Sequence, residues 1–174
     1  MTPAPLRPAA ALVLALALTA GAAFDAAASD RDRLPFDMPA AYVPECGSCH
    51  APFPPGLLPR ESWTRLMAGL DRHYGSDASI DATLRRDIET WLLRHAGRSR
   101  KVSNAPPAED RITRSAWFER EHRRVEPATW RLPSVQNAVN CAACHEGADR
   151  GDFDDDHLRQ PEGVSRAEWR AWRR

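Results

Sequence analysis

The chain has 174 residues with 24 basic and 24 acidic side chains, so its formal net charge is zero. This balance argues against nucleic-acid binding, which requires a strong basic excess. Beyond the N-terminal segment no stretch is apolar enough to cross a membrane, so we expect no stable membrane insertion of the mature chain.

The first 28 residues are typical of a secretory signal peptide. Arg7 precedes an apolar run rich in alanine and leucine over residues 9–20, and the small residues 26–28 supply a cleavage pattern. An uncleaved membrane anchor is the alternative, although the apolar run is too short to span a bilayer comfortably. We therefore expect export to the periplasm.

Two copies of the string CxxCH contain every cysteine of the chain: Cys46-Gly-Ser-Cys49-His50 and Cys141-Ala-Ala-Cys144-His145. The spacing is typical of c-type haem attachment, because two thiols three positions apart can reach both vinyl groups of one porphyrin. The next residue, His50 or His145, then becomes the proximal iron ligand. A shared zinc site and two small disulfides are the alternatives, but both leave the paired histidines unexplained. We predict two covalently attached haem c groups.

The first half of the mature chain is predicted to be helical around an irregular centre. Residues 29–43 form an irregular lead-in, and four prolines exclude regular helix from residues 51–59. Apolar residues at three- and four-residue spacing predict helices over residues 61–74 and 81–96, with Gly75 ending the first.

The second half has weaker patterns. Residues 97–110 read as a linker, so we place a signal peptide at 1–28, an N-terminal haem domain at 29–100 and a C-terminal haem domain at 101–174. A helix is predicted over 115–125, and Ser134 is expected to cap a short helix before Cys141. The tail, residues 164–174, is expected to pack its tryptophans on the domain, with a membrane-surface helix as the alternative. The predicted fold is mainly α.

Candidates for the second axial ligand of the first haem lie on the two predicted helices. His73 follows Leu70 by three residues at the edge of the apolar face, which makes it the favoured ligand. His95 also faces inward on the second helix and competes with it. Met67 is a third candidate that would give a higher potential, but core packing is the more usual role of such a methionine.

For the second haem, His122 is the favoured distal ligand. It follows Phe118 by four residues and precedes Val125 by three, on the apolar side of a helix rich in charged residues. His157 lies in an acidic segment without a clear pattern, and we expect it to be an exposed loop residue.

Several short motifs accompany the CxxCH strings over residues 44–153: Glu45 before the first string, Pro54-Pro55-Gly56-Leu57-Leu58-Pro59, Ser62-Trp63, His73-Tyr74-Gly75, Ala78-Ser79, residues 88–92, Arg111-Ile112-Thr113, Trp117-Phe118, Glu121-His122, Ala148 and Gly151-Asp152-Phe153. With these motifs the chain resembles the bacterial dihaem cytochromes c found beside small oxygen-binding monohaem cytochromes. The resemblance does not extend to the tail.

The resemblance implies a soluble, two-domain electron carrier rather than an enzyme. Its N-terminal domain would be similar to a class I cytochrome c, and its C-terminal domain would be largely irregular with short helices. His73 would ligate the first iron and His122 the second, giving two low-spin, low-potential, bis-histidine haems. The implied acceptor is an oxygen-binding monohaem cytochrome, and a membrane cytochrome b is a plausible donor.

Two other functions are weighed against electron transfer. A small dihaem peroxidase would need a vacant axial position and acid–base residues beside it. A haem-based gas sensor would likewise keep one iron open. The placement of His73 and His122 argues against both.

Overall fold

The structure is a computed structural model, and it describes residues 34–97 and 102–172. The predicted signal peptide lies outside the described residues, as does the boundary predicted between residues 100 and 101. The division into two domains therefore stays a prediction.

The described part of the chain is mainly helical and contains no β-strand, as predicted, with isolated bridges at His73–Ser76 and His145–Leu158. Within it, no helix has both the length and the apolar character needed to span a membrane. The α-helices are α1 (Tyr42–Cys46), α2 (Arg60–Ala68), α3 (Ala82–His95), α4 (Ala116–Glu121) and α5 (Arg166–Trp172). Turns of 3₁₀ helix lie at Pro55–Leu57, Leu70–Arg72, Ala108–Asp110, Ile112–Arg114, Thr129–Arg131, Cys141–Ala143, Ala148–Arg150 and Asp155–His157.

The hydrophobic core lies where α2 packs against α3. The apolar residues of α3 recur at intervals of three and four residues, so they occupy one face of the helix, and that face is buried. The proline-rich loop after the first CxxCH covers the same core. The buried apolar residues of this cluster are Tyr42, Leu57, Leu58, Trp63, Met67, Ile88, Trp91, Leu92 and Ile112.

Helix α3 follows the sequence prediction closely because its N-terminus carries a strong cap. The Asp81 carboxylate accepts hydrogen bonds from the backbone N–H groups of Thr83 (2.8 Å) and Leu84 (3.2 Å). These bonds satisfy two donors that a helix start leaves without partners. The helix ends at His95, and Gly97 then adopts φ +59°.

Two other predicted helices are shorter than expected, which corrects those predictions. Helix α2 ends at Ala68, because the chain leaves α-helical geometry at Gly69 and Tyr74 takes φ +51°. Helix α4 ends at Glu121, so His122 caps the helix instead of lying within it. His73 and His122 therefore follow these helices and are not part of them.

The helix expected after Ser134 is absent from the described residues. The Ser134 hydroxyl donates to the Glu162 carbonyl (2.7 Å) instead of capping a helix. The chain reaches the second CxxCH through turns, and only Cys141–Ala143 forms a 3₁₀ turn there. In the tail, α5 is helical as expected, with Trp169 and Trp172 half-buried and 5.5 Å apart between ring centroids.

Candidate haem sites

The first CxxCH places His50 opposite His73. Helix α1 runs directly into Cys46, and the chain then turns so that the His50 Nδ1 lies 2.8 Å from the Ala51 carbonyl oxygen. A hydrogen bond donated from Nδ1 leaves Nε2 as the free ligand atom. The centroids of the His50 and His73 rings are 6.1 Å apart, and their planes are inclined by 29°. We call Cys46, Cys49, His50 and His73 the first haem site.

The second CxxCH places His145 opposite His122 in the same manner. Their ring centroids are 6.2 Å apart, with the planes inclined by 64°. The His122 Nδ1 lies 2.9 Å from the Phe118 carbonyl oxygen, which again leaves Nε2 free. We call Cys141, Cys144, His145 and His122 the second haem site.

Both ring separations fit one iron held between two imidazoles. With a metal–nitrogen bond of about 2.0–2.1 Å and a ring radius of about 1.1 Å, two imidazoles in line through one metal have centroids roughly 6.2–6.4 Å apart. The observed separations are 6.1 and 6.2 Å. The ring separations at both sites are therefore compatible with one iron bound between the two imidazoles.

His73 is positioned by a turn after α2. The backbone N–H of Ser76 donates to the His73 carbonyl at 3.0 Å, and the following residue, Tyr74, donates its hydroxyl to the Glu109 carbonyl at 2.8 Å. The Arg111 guanidinium covers the Tyr74 ring, 4.0 Å from its centroid. This cation–π contact anchors the turn against the second half of the chain.

Aromatic rings enclose His122. Its imidazole stacks on Phe118 with a centroid separation of 4.0 Å, and Trp130 lies 5.7 Å away on another side. The N-cap of α4 positions Phe118, because the Ser115 hydroxyl accepts from the Phe118 backbone N–H at 3.1 Å. His122 is thus held by its Nδ1 bond and by two rings.

His145 differs from His50 and His122 because its Nδ1 is buried without a hydrogen-bond partner among the described residues. Burial and His122 lower the pKa of His145, and the adjacent Asp154 backbone partly offsets that lowering. The edge of the His145 ring meets Phe153, with centroids 5.9 Å apart and planes inclined by 74°.

Burial favours the neutral form of three candidate ligand imidazoles, those of His73, His122 and His145. It is the main reason why the pKa values of His73, His122 and His145 lie below the ordinary value. The opposing ring adds to this, since His50 lowers the pKa of His73 and His122 lowers that of His145. Neutral imidazole is the form that binds a metal.

The four thiols are unpaired. The surroundings of Cys46, Cys141 and Cys144 do not favour the thiolate form. Burial raises the pKa of Cys46 to about 11 and that of Cys141 to about 12, and it also raises the pKa of Cys144. A reactive or metal-binding thiol has a lowered pKa. Across residues 34–97 and 102–172, no group of cysteines and histidines is arranged as a zinc site.

The three rival candidate ligands, His95, Met67 and His157, do not lie opposite a CxxCH histidine in any ring contact among the described residues. The His95 Nε2 lies 2.9 Å from the Asp37 carboxylate, which Arg94 also contacts. Met67 is buried in the core, and His157 is exposed in a 3₁₀ turn. This geometry favours His73 and His122 over all three, and the ligand assignment stays a prediction.

The two attachment motifs face one cavity of about 640 Å³. Its walls include Cys49 and His50 from the first motif and Cys141 and Ala142 from the second. His73, His122 and His145 do not line this cavity, so it is not the space between the paired imidazoles. The two halves of the chain therefore share the space beside their attachment cysteines.

Sequence reasoning missed several rings that surround the candidate ligands. Phe53 stacks on His50, Phe153 contacts His145, and Trp130 packs beside His122. The sequence held a partial signal for Phe53. It lies among prolines three positions after the candidate ligand His50, which suggests a rigid loop beside that imidazole. No local pattern pointed to Trp130.

Known proteins similar to this chain are dihaem cytochromes. A family described as dihaem cytochrome c matches residues 42–153. The solved dihaem cytochrome c from Rhodobacter sphaeroides is 39% identical, with 70% of this chain and 99% of that chain covered and a TM-score of 0.56. That from Shewanella baltica OS155 is 34% identical, with 73% and 95% covered and a TM-score of 0.61. No curated protein matches significantly.

Proposed function

The chain belongs to the dihaem cytochrome c family, and on that premise we propose that it is an exported electron carrier with two bis-histidine haems. The family carries two covalently bound haem c groups, and both cysteine pairs are present here. The family also supports the coarser statement that the protein transfers electrons.

One observation carries the proposal: each CxxCH histidine faces a second imidazole at the separation that one iron requires. Haem, when bound, supplies an iron that takes up and releases one electron. His50 and His73 would fill both axial positions at the first site, and His145 and His122 would do so at the second. With both axial positions filled in this way, a bound haem would have no site for peroxide or a gas.

The surrounding residues keep each ligand pair fixed. The Nδ1 bonds of His50 and His122 select the tautomer that presents Nε2, and stacked rings limit rotation of the imidazoles. Imidazoles held in this way would keep the coordination of a bound haem nearly unchanged between oxidation states. Bis-histidine ligation without methionine favours low potentials.

The proposed partners are other redox proteins outside the cytoplasm. A small oxygen-binding monohaem cytochrome is the proposed acceptor, and a membrane cytochrome b is the proposed donor. The proposal of export rests on the signal-like residues 1–28 and on c-type haem attachment, which takes place outside the cytoplasm.

The ligand assignment is tested by His73→Met and His122→Met in the holoprotein. We expect each change to convert one haem from histidine–histidine to histidine–methionine ligation and to raise its potential, within the roughly 0.8 V range that axial ligands span. Low-temperature EPR and potentiometric titration measure both effects. His95→Gln and His157→Gln are the matched controls, and we expect them to leave both haems bis-histidine.

An altered haem in His95→Gln or His157→Gln could overturn the ligand assignment. If His95→Gln altered the first haem while His73→Met did not, the first distal ligand would be His95. Carbon monoxide binding to the reduced wild-type protein, or a high-spin signal with peroxide turnover, would indicate an open iron. That outcome would replace the carrier with the gas sensor or the peroxidase.

A further inference from the structure

Four aromatic rings form a continuous series between the two CxxCH motifs. His50 stacks on Phe53 with centroids 5.1 Å apart, and Phe53 stacks on Phe153 at 6.1 Å. Phe153 then meets the His145 ring at 5.9 Å. We call Phe53 and Phe153 the aromatic bridge. Each ring pair lies within the separation at which aromatic side chains attract each other.

The backbone holds Phe53 from the first half of the chain. It lies in the proline-rich loop, where prolines restrict φ, and its carbonyl oxygen accepts a hydrogen bond from the buried Tyr42 hydroxyl at 2.6 Å. The ring packs on the main hydrophobic core. Phe53 is therefore a fixed surface against which another ring can rest.

The backbone holds Phe153 from the second half. Gly151 is buried with φ +66°, and its ideal Cβ position would lie only 3.0 Å from the Pro52 carbonyl oxygen. The backbone N–H of Asp152 donates to the Gly147 carbonyl at 3.0 Å. The absence of a side chain at Gly151 lets this turn approach the loop that carries Phe53.

The bridge matters most for His145, whose Nδ1 has no partner in strict hydrogen-bonding geometry among the described residues, although the Asp154 backbone lies beside the ring. Metal-binding histidines usually donate the other ring nitrogen to an acceptor, which fixes the ring orientation. His50 and His122 have such an acceptor at 2.8 and 2.9 Å. His145 instead packs edge-to-face against Phe153, a contact that acts on the ring alongside the Asp154 backbone.

We propose that the aromatic bridge orients the proximal imidazole of the second haem site from the first half of the chain. Phe53 and Phe153 are positioning residues, because they act through His50 and His145 and not on the iron itself. The inference rests on the proposed function, in which these two histidines are the proximal ligands. Its consequence is that a change beside one haem alters the ligand geometry of the other.

The test uses Phe53→Leu and Phe153→Leu in the dihaem holoprotein, with low-temperature EPR of the oxidised form. The g values of a low-spin ferric haem depend on the relative orientation of its two axial imidazole planes. Leucine removes the flat ring while keeping an apolar side chain, and both phenylalanines are only half-buried. The His73→Met and His122→Met spectra identify which signal belongs to which haem.

We expect Phe153→Leu to shift the g values of the second haem, because Phe153 contacts His145. We expect Phe53→Leu to shift the g values of both haems, although Phe53 has no ring contact with His145 in the described part of the chain. At the second haem, the g values of the double variant Phe53→Leu/Phe153→Leu should resemble those of either single variant, because removing one ring already breaks the bridge. Phe53→Tyr and Phe153→Tyr retain the ring and should give wild-type spectra. If either tyrosine variant shifted the g values of the second haem as much as the leucine variants do, the bridge would be contradicted.

Phe118→Leu is the matched control. Phe118 stacks on the ligand His122 at 4.0 Å but lies outside the bridge, so its replacement should alter only the second haem. If Phe53→Leu altered only the first haem, the bridge would be overturned while the carrier remained. If wild-type EPR lacked two bis-histidine signals, the proposed function itself would fail.

Discussion

Single hydrogen bonds from buried side chains fix the proline-rich loop beside the first haem site. Prolines remove backbone donors, so the carbonyl groups of this loop need partners from elsewhere. The Tyr42 hydroxyl donates to the Phe53 carbonyl at 2.6 Å, and the Trp63 indole N–H donates to the Pro55 carbonyl at 2.8 Å. Two core aromatic residues thus set the path of the loop.

Tyr42→Phe should therefore lower the free energy of unfolding by about 1–2 kcal/mol, because it removes the donor to the part-buried Phe53 carbonyl. Tyr42 is 2% exposed. Denaturant unfolding of the holoprotein measures the change. Tyr74→Phe is the control, because its hydroxyl also donates to a backbone carbonyl while its side chain is 43% exposed and water can replace the bond. Equal losses in the two variants would show that burial does not set the cost.

At the scale of single residues, short sequence motifs predicted those features of the site that depend on neighbouring positions in the chain. The spacing within each CxxCH and the position of His73 after Leu70 can be read from adjacent residues. The contact between Phe53 and Phe153 joins positions far apart in the chain, and no periodicity links them. Such a pair is determined by how the two halves pack, so sequence reasoning did not find it.

At the scale of secondary-structure elements, a helix end was predictable where the sequence carried a clear capping residue. Asp81 caps α3 with two hydrogen bonds, and the predicted start was correct to within one residue. The end of α2 was misplaced because the apolar spacing continues through Leu70 and Tyr74 while the backbone leaves the helix at Gly69. Apolar spacing alone could not distinguish an α-helix from the 3₁₀ turn that follows it.

An ion pair joins α2 to the second half of the chain. The Arg65 Nε and Nη2 atoms donate to the two carboxylate oxygens of Asp110 at 2.8 and 2.6 Å. This two-bonded geometry is the strong form of an arginine–carboxylate contact. The hydrogen bonds from Arg65 lower the pKa of Asp110 below the ordinary value of 3.8.

Asp110→Asn should destabilise the protein by about 1 kcal/mol at pH 7, with solvent screening of the half-exposed Arg65 limiting the loss. Because the folded-state pKa of Asp110 is lowered, its contribution is complete above pH 3.8 and is lost as the pH falls through the folded-state value. Unfolding free energies measured from pH 7 to pH 2 should converge for variant and wild type at the acidic end.

Asp71→Asn is the control for that comparison. Asp71 faces Arg72 at 3.4 Å, and both side chains are largely exposed, so its removal should have little effect at any pH. A pH-independent loss in Asp110→Asn would mean that the ion pair is not the source of the stabilisation.

Across the whole molecule, burial is uneven between the two halves. The main hydrophobic cluster runs from Tyr42 to Ile112, whereas the buried aliphatic residues described after Ser115 are Val135, Ala148 and Val164. A segment with so few buried side chains is marginal without a further apolar body. The covalent haem and the packing against the first half supply that body, which explains why residues 122–165 are held by turns and show little periodicity.

The contact between the halves depends on the space left at Gly151. An ideal Cβ there would lie 2.5 Å from the Leu34 Cγ and 3.0 Å from the Pro52 carbonyl oxygen, and the backbone has φ +66°. Gly75 has φ +96°, but its Cβ position meets nothing within 4 Å. Alanine substitutions at these two glycines therefore separate two contributions to the loss of stability: the strained backbone conformation and the steric overlap at the close approach.

Gly151→Ala should destabilise the holoprotein by about 2–3 kcal/mol, against about 1 kcal/mol for Gly75→Ala, because only the first substitution adds overlap to the strained φ. Denaturant unfolding followed by haem absorbance measures both. Gly151→Ala should also move Phe153 away from Phe53, so its EPR spectrum should shift at the second haem as in Phe153→Leu. Gly75→Ala should leave that haem unchanged. Equal destabilisation, with no spectral shift in Gly151→Ala, would mean that the halves do not rely on this approach.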